Sequence, residues 1–347
     1  MNFHHWRYRW ADVMRFLGKL SVPKLYNAAV LVVQFYYSLW SRRPVQPSHP
    51  MTLAVEPTTA CNLRCPECPS GMRSFTRPTG KARLEEFEAL LEQVHRRLIY
   101  LILYFQGEPF LHPDFERIVA AAHRYGVYTI TSTNGHFLTP ERCKAVIEAG
   151  LDRLIISVDG VTQESYARYR RRGDLERVIE GIRTLHAMRQ RLGRTNPRIV
   201  VQFIVFGTNE HELSAMRRAY KLWGADDLAI KTAQVYDYIR GNPLIPRDER
   251  YSRYRRRPDG SYEVKYRYRR HRHCWKMWHS AVVTWDGRVV PCCFDKDAEH
   301  VLGILTQRSF EDIWRGASYR AFRRRLIDSR SHFTMCKNCS EGVRVWL

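Results

Sequence analysis

Three observations predict an α/β fold built on a parallel sheet. Between residues 51 and 233, short apolar runs alternate with amphipathic stretches through six β-then-α units, the rhythm of a parallel sheet with covering helices. A tight group of cysteines follows the first apolar run directly, in the kind of βα loop where such sheets keep their chemistry. The rhythm stops after residue 240, and a shorter pattern with its own cysteines takes over.

Strands are expected at 53–56, 100–104, 128–132, 153–157, 199–205 and 227–232, from their apolar and β-branched content. Helices are expected at 84–97, 115–125, 140–149, 175–191 and 210–222, where apolar residues recur at helical spacing. The chain divides into an N-terminal helical extension (1–50), an α/β body (51–239), a basic connector (240–273) and a C-terminal cysteine-bearing unit (274–347).

In the extension, residues 25–40 are apolar and aromatic, interrupted by Asn27, Gln34 and Ser38 and followed by Arg42, Arg43 and Pro44. The stretch falls short of the ~20 residues that span a bilayer. It reads as a helix packed on the body, with an interfacial membrane helix as the alternative.

The connector holds ten Arg and five Tyr between Arg247 and Arg272, around a Pro258-Asp259-Gly260 turn. Val264, Tyr266 and Tyr268 after that turn suggest a hairpin. Beyond Cys274 come short strands, a Trp285-Asp286-Gly287-Arg288 turn and a helix at about 309–326.

The formal charge is +22, and only ten of the 57 basic residues are Lys. Such a surface favours anionic partners but says nothing about fold. Interleaved Arg and Tyr could grip phosphate and stack on bases, or simply clothe a solvated hairpin; nucleic acid is the less favoured reading. Nine cysteines are too few for a disulfide scaffold of this length, and their odd number excludes complete pairing. Eight lie in two groups, and the first ten residues lack an export-type apolar core. Metal ligation in a reducing cytosol follows as the expectation. Cys143, alone in an amphipathic stretch, reads as a core residue.

The first group is Cys61-Asn62-Leu63-Arg64-Cys65-Pro66-Glu67-Cys68. Three thiolates this close can hold three corners of an iron–sulfur cubane and leave one iron open for chemistry. Structural zinc would need a fourth ligand nearby, and none stands at the usual spacing. The second group is Cys274, Cys292, Cys293, Cys336 and Cys339, enough for a closed site of either zinc or a cluster.

The first motif resembles that of the radical S-adenosylmethionine (SAM) superfamily, and further segments resemble it too. Gln106-Gly107-Glu108-Pro109 is similar to the family's Gly-Gly-Glu-Pro, with Gln106 replacing the first Gly. Thr133-Asn134-Gly135 follows the third strand and Ile156-Ser157-Val158-Asp159-Gly160 ends the fourth. The run from Asp286 to Cys293, with Leu302-Gly303-Ile304, 310–314 and the Cys336/Cys339 pair, resembles the SPASM/Twitch extension.

The resemblance implies a partial (β/α)6 TIM-type barrel followed by a small SPASM/Twitch-like iron–sulfur domain. It implies a [4Fe–4S] cluster on Cys61, Cys65 and Cys68, and SAM on Gly107, Glu108, Thr133, Asn134 and Ser157. An Arg pairs with the SAM carboxylate: Arg168, Arg170, Arg171 and Arg172 compete, with Arg168 taken as the candidate. An auxiliary [4Fe–4S] cluster falls to Cys274, Cys292, Cys336 and Cys339, five cysteines suiting the single-cluster form. Cys293 and Asp295 are then candidate bases beside it, with Asp297 read as an exposed turn residue. Glu67 stands where the family carries an aromatic residue against adenine.

The activity so implied is reductive cleavage of SAM to a 5′-deoxyadenosyl radical that abstracts hydrogen from a substrate. It calls for a reductant such as flavodoxin or ferredoxin. The substrate would be a peptide, a small molecule or an anionic, carrier-bound group, in an oxidoreductase or maturase reaction. Location is cytoplasmic. Two alternatives stand beside it: a radical SAM enzyme of lipid or cell-envelope metabolism at the inner membrane surface, and a non-catalytic metal-cluster module that binds RNA.

Overall fold

Two helices precede the sheet, α1 (Phe3–Gly18) and α2 (Val22–Ser41), bent at 89° to one another. The structure, a computed structural model, describes residues 3–45, 48–265, 274–342 and 345. The sequence foresaw α2 but not α1. Helix α1 seals the end of the sheet where strands begin: Asp12 accepts from Arg153 at 2.7 Å and Arg198 at 3.0 Å and also from Tyr128, and Phe16 stacks on Tyr100.

The body follows as β1 (Thr52–Val55), α3 (Pro69–Met72), α4 (Leu84–Val94), β2 (Tyr100–Ile102), α5 (Phe115–Arg124), β3 (Tyr128–Thr133), α6 (Pro140–Glu148) and β4 (Arg153–Ser157). It continues through α7 (Gln163–Tyr169), α8 (Leu175–Arg191), β5 (Arg198–Val205), α9 (Leu213–Leu222) and β6 (Asp227–Thr232). All six expected strands are present and pair in parallel, in the order β1 to β6. Local chemistry sets the helix starts: Thr139 and Asp174 accept from the backbone N–H groups of Arg142 and Arg177, and Pro140 occupies the first turn of α6. The sheet has two edges and does not close, so the barrel is partial. Cys143 is fully buried in α6.

In the connector, β7 (Tyr254–Arg256) and β8 (Tyr262–Val264) form the expected hairpin; Tyr266 and Tyr268 lie outside the described residues. Much of its charge is answered locally, with Arg255 and Arg257 both donating to Glu263 and Arg250 to Asp248. Some arginines elsewhere are fully buried in bidentate pairs, as Arg189 is with Asp226.

The C-terminal unit comprises α10 (Lys276–His279), β9 (Ser280–Val283), β10 (Arg288–Val290), β11 (Gly303–Ile304), α11 (Phe310–Trp314), α12 (Ala317–Asp328) and α13 (Thr334–Lys337). The single helix expected at about 309–326 is two, broken at Arg315-Gly316. More consequentially, β9 pairs in parallel with β1, from Thr52 opposite Ser280 to Val55 opposite Val283. Strands β10 and β11 add antiparallel beyond it, giving one nine-stranded sheet. The sheet therefore runs unbroken across the boundary expected at 274. One apolar core extends from Leu31 and Phe35 of α2 through the body to Trp314 and Phe322. Among the described residues, no single helix is long and apolar enough to cross a membrane.

Candidate active site

The loop from Cys61 to Cys68 leaves the C-terminal end of β1 and is held on three sides. Leu63 is buried in a small apolar cluster with Tyr169, Phe206, Val235 and Tyr254. The Arg64 N–H donates to the Arg171 carbonyl at 3.0 Å. Helix α3 folds back so closely that a side chain on Gly71 would meet the Cys65 backbone at 2.5 Å. Glu67 does not replace an aromatic surface; its carboxylate accepts the Tyr236 N–H at 2.9 Å and ties the loop to the segment after β6.

Loops after the next three strands each bring one polar side chain to a different thiol. Gln106, after β2, stands 4.0 Å from Cys68 Sγ through its Oε1. Asn134, after β3, stands 4.0 Å from Cys61 Sγ through its Nδ2. Arg170, after α7, stands 4.0 Å from Cys65 Sγ through its Nη1. Burial pushes the Cys61 thiol up to about 12 and raises Cys65, though Arg170 pulls Cys65 the other way. No cysteine of the chain is in a disulfide. Three free thiols gathered in one loop are a donor set that fits a cationic iron–sulfur core.

Behind the thiols stands Glu108. Its Oε1 accepts from Thr133 Oγ1 at 2.7 Å and Phe110 N–H at 3.1 Å, and its Oε2 accepts from Asn134 N–H at 2.7 Å. Burial holds the carboxyl above its usual range against the pull of these donors. Gly107 has φ of +75°, and a Cβ there would lie 2.2 Å from the Thr58 carbonyl oxygen. Only glycine allows both the left-handed backbone and that approach. Ser157 is buried at the end of β4, opposite Gln202 in β5.

Of the four competing arginines, the structure brings Arg170 to the thiol loop and leaves Arg168 outside. Arg168 lies on the outer face of α7 and pairs with Glu164 one turn back. Helix α7 ends at Tyr169, and the non-helical backbone of Arg170 turns its side chain inward, where its Nε donates to Asp159 at 2.6 Å. Burial works against the Arg170 charge, but Asp159 and the Cys65 thiol more than offset it, so the guanidinium stays charged. Asp159 is itself fixed by the Ile204 N–H at 2.7 Å. Arg170 is one of the four arginines that compete in the sequence, whereas Asp159 has no assigned role there.

The second cysteine group assembles from three segments. Cys274 is clasped by the turn at Gly342, whose carbonyl accepts the Trp275 N–H at 2.8 Å. Cys339 Sγ accepts the Glu341 N–H at 3.3 Å. Burial and the neighbouring Cys293, Cys339 and Cys274 raise Cys292 well above an ordinary thiol. Burial also raises Cys336 to about 11 and Cys339 to about 12, opposed by Arg330. Cys293 instead faces Lys276, whose Nζ stands 3.6 Å from its sulfur. Among the described residues, no three His, Cys, Asp or Glu side chains gather as tightly as a single metal ion requires.

Asp295, the other candidate base, is engaged by its own loop. Its two oxygens accept the Glu299 N–H at 2.9 Å and the His300 N–H at 3.0 Å, so the carboxylate staples its own loop. Asp297, read as an exposed turn residue, reaches across to Thr76 and accepts its N–H at 2.9 Å. Next to it, Arg77 forms a buried bidentate pair with Glu56 at 2.6 and 2.8 Å. The Asp297 contact, with Arg77 Nε donating to the Lys296 carbonyl, ties the C-terminal unit to the loop after β1.

Comparison with known proteins agrees with this arrangement. A model of the radical SAM superfamily matches residues 55–218, and a SPASM model described as an iron–sulfur cluster-binding domain matches residues 274–340. The chain is 26% identical over 319 residues to a Pyrococcus furiosus protein named as a tungsten-containing aldehyde ferredoxin oxidoreductase cofactor-modifying protein, covering 83% of this chain and 86% of that one. It is 26% identical over 282 residues to the PqqA peptide cyclase of Gluconobacter oxydans, covering 77% and 75%. In structure it resembles Streptococcus suis SuiB bound to its precursor peptide SuiA, with a TM-score of 0.62, 11% identity, and coverage of 91% and 80%.

Proposed function

The chain belongs to the radical SAM superfamily and carries a C-terminal SPASM domain, and from that premise we propose that it is a peptide-modifying radical enzyme. Its radical SAM core binds a [4Fe–4S] cluster and SAM, and its SPASM domain binds auxiliary iron–sulfur. When bound, these groups supply one-electron cleavage of the sulfonium, yielding methionine and a 5′-deoxyadenosyl radical that abstracts a hydrogen atom.

The observation that carries the site assignment is the convergence of Gln106, Asn134 and Arg170 on three different thiols of one loop. In this reading Cys61, Cys65 and Cys68 hold the first cluster. Glu108, with a lone pair of Oε2 to spare beyond the Asn134 amide, receives the SAM ammonium beside the Gly107 backbone. Thr133 fixes the Glu108 carboxylate, while Asn134 and Ser157 line the remaining SAM contacts. Arg170 takes the cationic role expected of Arg168 and keeps a positive charge beside Cys65.

Cys274, Cys292, Cys336 and Cys339 hold the auxiliary cluster, and Arg330 offsets their negative charge. Cys293, 3.6 Å from Lys276 Nζ, is left as the acid–base group nearby. A peptide substrate is favoured because the relatives sharing most of this chain's length include one named as a peptide cyclase. A low-potential donor of the flavodoxin or ferredoxin kind supplies the electron.

The test is anaerobic reconstitution with iron, sulfide, dithionite and SAM, read as 5′-deoxyadenosine. A peptide fraction of cell extract, separated by size from metabolites, should raise its yield and leave a peptide of altered mass. Absence of 5′-deoxyadenosine from fully loaded protein overturns the enzymatic reading. Stimulation by the metabolite fraction alone overturns the peptide.

A further inference from the structure

Helix α2 is inverted for a helix on a protein in water. The residues it buries against the body include Lys24, Asn27 and Ser38 along with Leu31 and Phe35. Each buried polar group has a specific partner: Lys24 donates to the Gly126 carbonyl at 2.7 Å, Asn27 exchanges bonds with the His49 backbone, and Ser38 donates to Gln34. Its outward stripe is Val22, Leu25, Tyr26, Val33, Tyr36, Tyr37 and Trp40, with Val22 and Trp40 each 80% exposed. The spacing of these residues places them along one side through five turns.

Helix α1 carries a second stripe, Trp6, Trp10, Val13, Met14 and Leu17, also at helical spacing and all exposed. Exposed aromatic neighbours touch one another, Trp6 with Trp10 at 5.2 Å and Tyr37 with Trp40 at 5.7 Å between ring centres. The large exposed apolar side chains of the described residues are concentrated here, twelve of eighteen. Scattered apolar residues need no explanation, whereas stripes along two successive helices do.

Charge decides what this patch fits. Between residues 3 and 45 there is a single acidic residue, Asp12, and it is buried and answered by Arg153 and Arg198. Arg7, Arg42 and Arg43 are exposed at the ends of the two helices. Trp and Tyr at the border of apolar and cationic surface are the composition of an interfacial helix lying on anionic lipid. A second copy of this face would set like charges together. Nucleic acid would leave the aromatic and aliphatic stripe unanswered. Position suits a surface contact as well, since α1 packs where β2 to β5 begin and the Cys61–Cys68 loop opens where strands end.

We propose that the outer faces of α1 and α2 form a docking surface for an anionic lipid bilayer, on which the protein lies with its Cys61–Cys68 loop turned away. The helices do not insert across it: the packed side of α1 is engaged with the strand starts through Asp12, Arg15 and Lys19. The contact is peripheral, so it combines apolar burial with salt-sensitive attraction.

The experiment is anaerobic co-sedimentation of the iron-loaded full chain with vesicles of equal phosphatidylglycerol and phosphatidylcholine, or of phosphatidylcholine alone. Binding is expected to the anionic vesicles and to weaken with added salt. The triple variant Trp10→Ser, Val33→Ser, Trp40→Ser removes only exposed side chains and should lower partitioning by about tenfold or more, with iron content and thermal midpoint unchanged. Leu222→Ser, an exposed apolar residue elsewhere, should bind as the parent does. No binding at low salt, equal binding to neutral vesicles, or undiminished binding by the triple variant overturns the proposal. A dimer in sedimentation velocity that the triple variant abolishes assigns the face to a second copy and overturns it equally.

Discussion

The guanidinium of Arg170 reaches to 4.0 Å from the Cys65 sulfur while its Nε is held 2.6 Å from Asp159, so one buried cation serves both a carboxylate and a thiol. Arg170→Gln leaves Asp159 buried without its charge partner, which costs about 3–5 kcal/mol of stability. It also removes a positive charge that favours the added electron on a cluster at Cys65, so the midpoint potential should fall. Adding Asp159→Asn should restore much of the stability and, by removing a negative charge felt at Cys65, only part of the potential. Denaturant unfolding and an EPR-monitored redox titration separate the two; an unchanged potential in Arg170→Gln would remove the electrostatic role.

Glu108→Gln is expected to weaken SAM binding about ten- to a hundredfold, because a charge-assisted contact of roughly 1.5–3 kcal/mol is lost. The structure adds a second cost. Both carboxylate oxygens already accept from protein donors, so the Gln amide must set its N–H against one of them. Thr133→Val keeps the charge and should weaken binding less. Calorimetry with SAM measures both, with iron content expected to be unchanged.

Iron analysis should find about eight irons per chain, and about four after Cys61, Cys65 and Cys68 are all changed to Ala. Within the vicinal pair the two substitutions should differ. Cys292→Ala should empty the second site, since Cys292 lies among Cys274 and Cys339. Cys293→Ala should keep its iron, since that thiol faces Lys276. Zinc in place of iron at the C-terminal group would sink the auxiliary-cluster assignment and leave the first site standing.

His279 gives an acid signature. Burial, helped by the charge of Lys276, pulls its imidazole down to about 3, against about 6.5 in an unfolded chain. Neutral in the fold and protonated when unfolded, it contributes fully above pH 6.5, and that contribution is lost as pH falls through the window towards 3. The loss should reach about 3 kcal/mol by pH 4. His279→Phe, keeping a ring near Trp275, should flatten stability against pH in this window. An identical slope in both proteins rules the histidine out.

Much of the fold and the first site was legible because their chemistry is local. Six apolar runs at β spacing, a Cys61-Cys65-Cys68 loop and a Gly107-Glu108 pair can each be read from neighbours in sequence. The choice among arginines could not. Arg168 and Arg170 differ by two positions, and what separates them is a helix that ends between them. Asp295 looked free because the amides of Glu299 and His300 that occupy it belong to a loop whose shape no motif announces. The pairing of β9 with β1 was equally hidden, since partners more than two hundred residues apart leave no periodic trace.

That pairing has a mechanical consequence. Because β9 continues the backbone ladder of β1, and Asp297 and Arg77 brace the loops above it, the two thiol groups are mounted on one frame rather than on hinged halves. Their separation is set when the chain folds. A cut in the connector between 240 and 273 should leave the pieces clamped together.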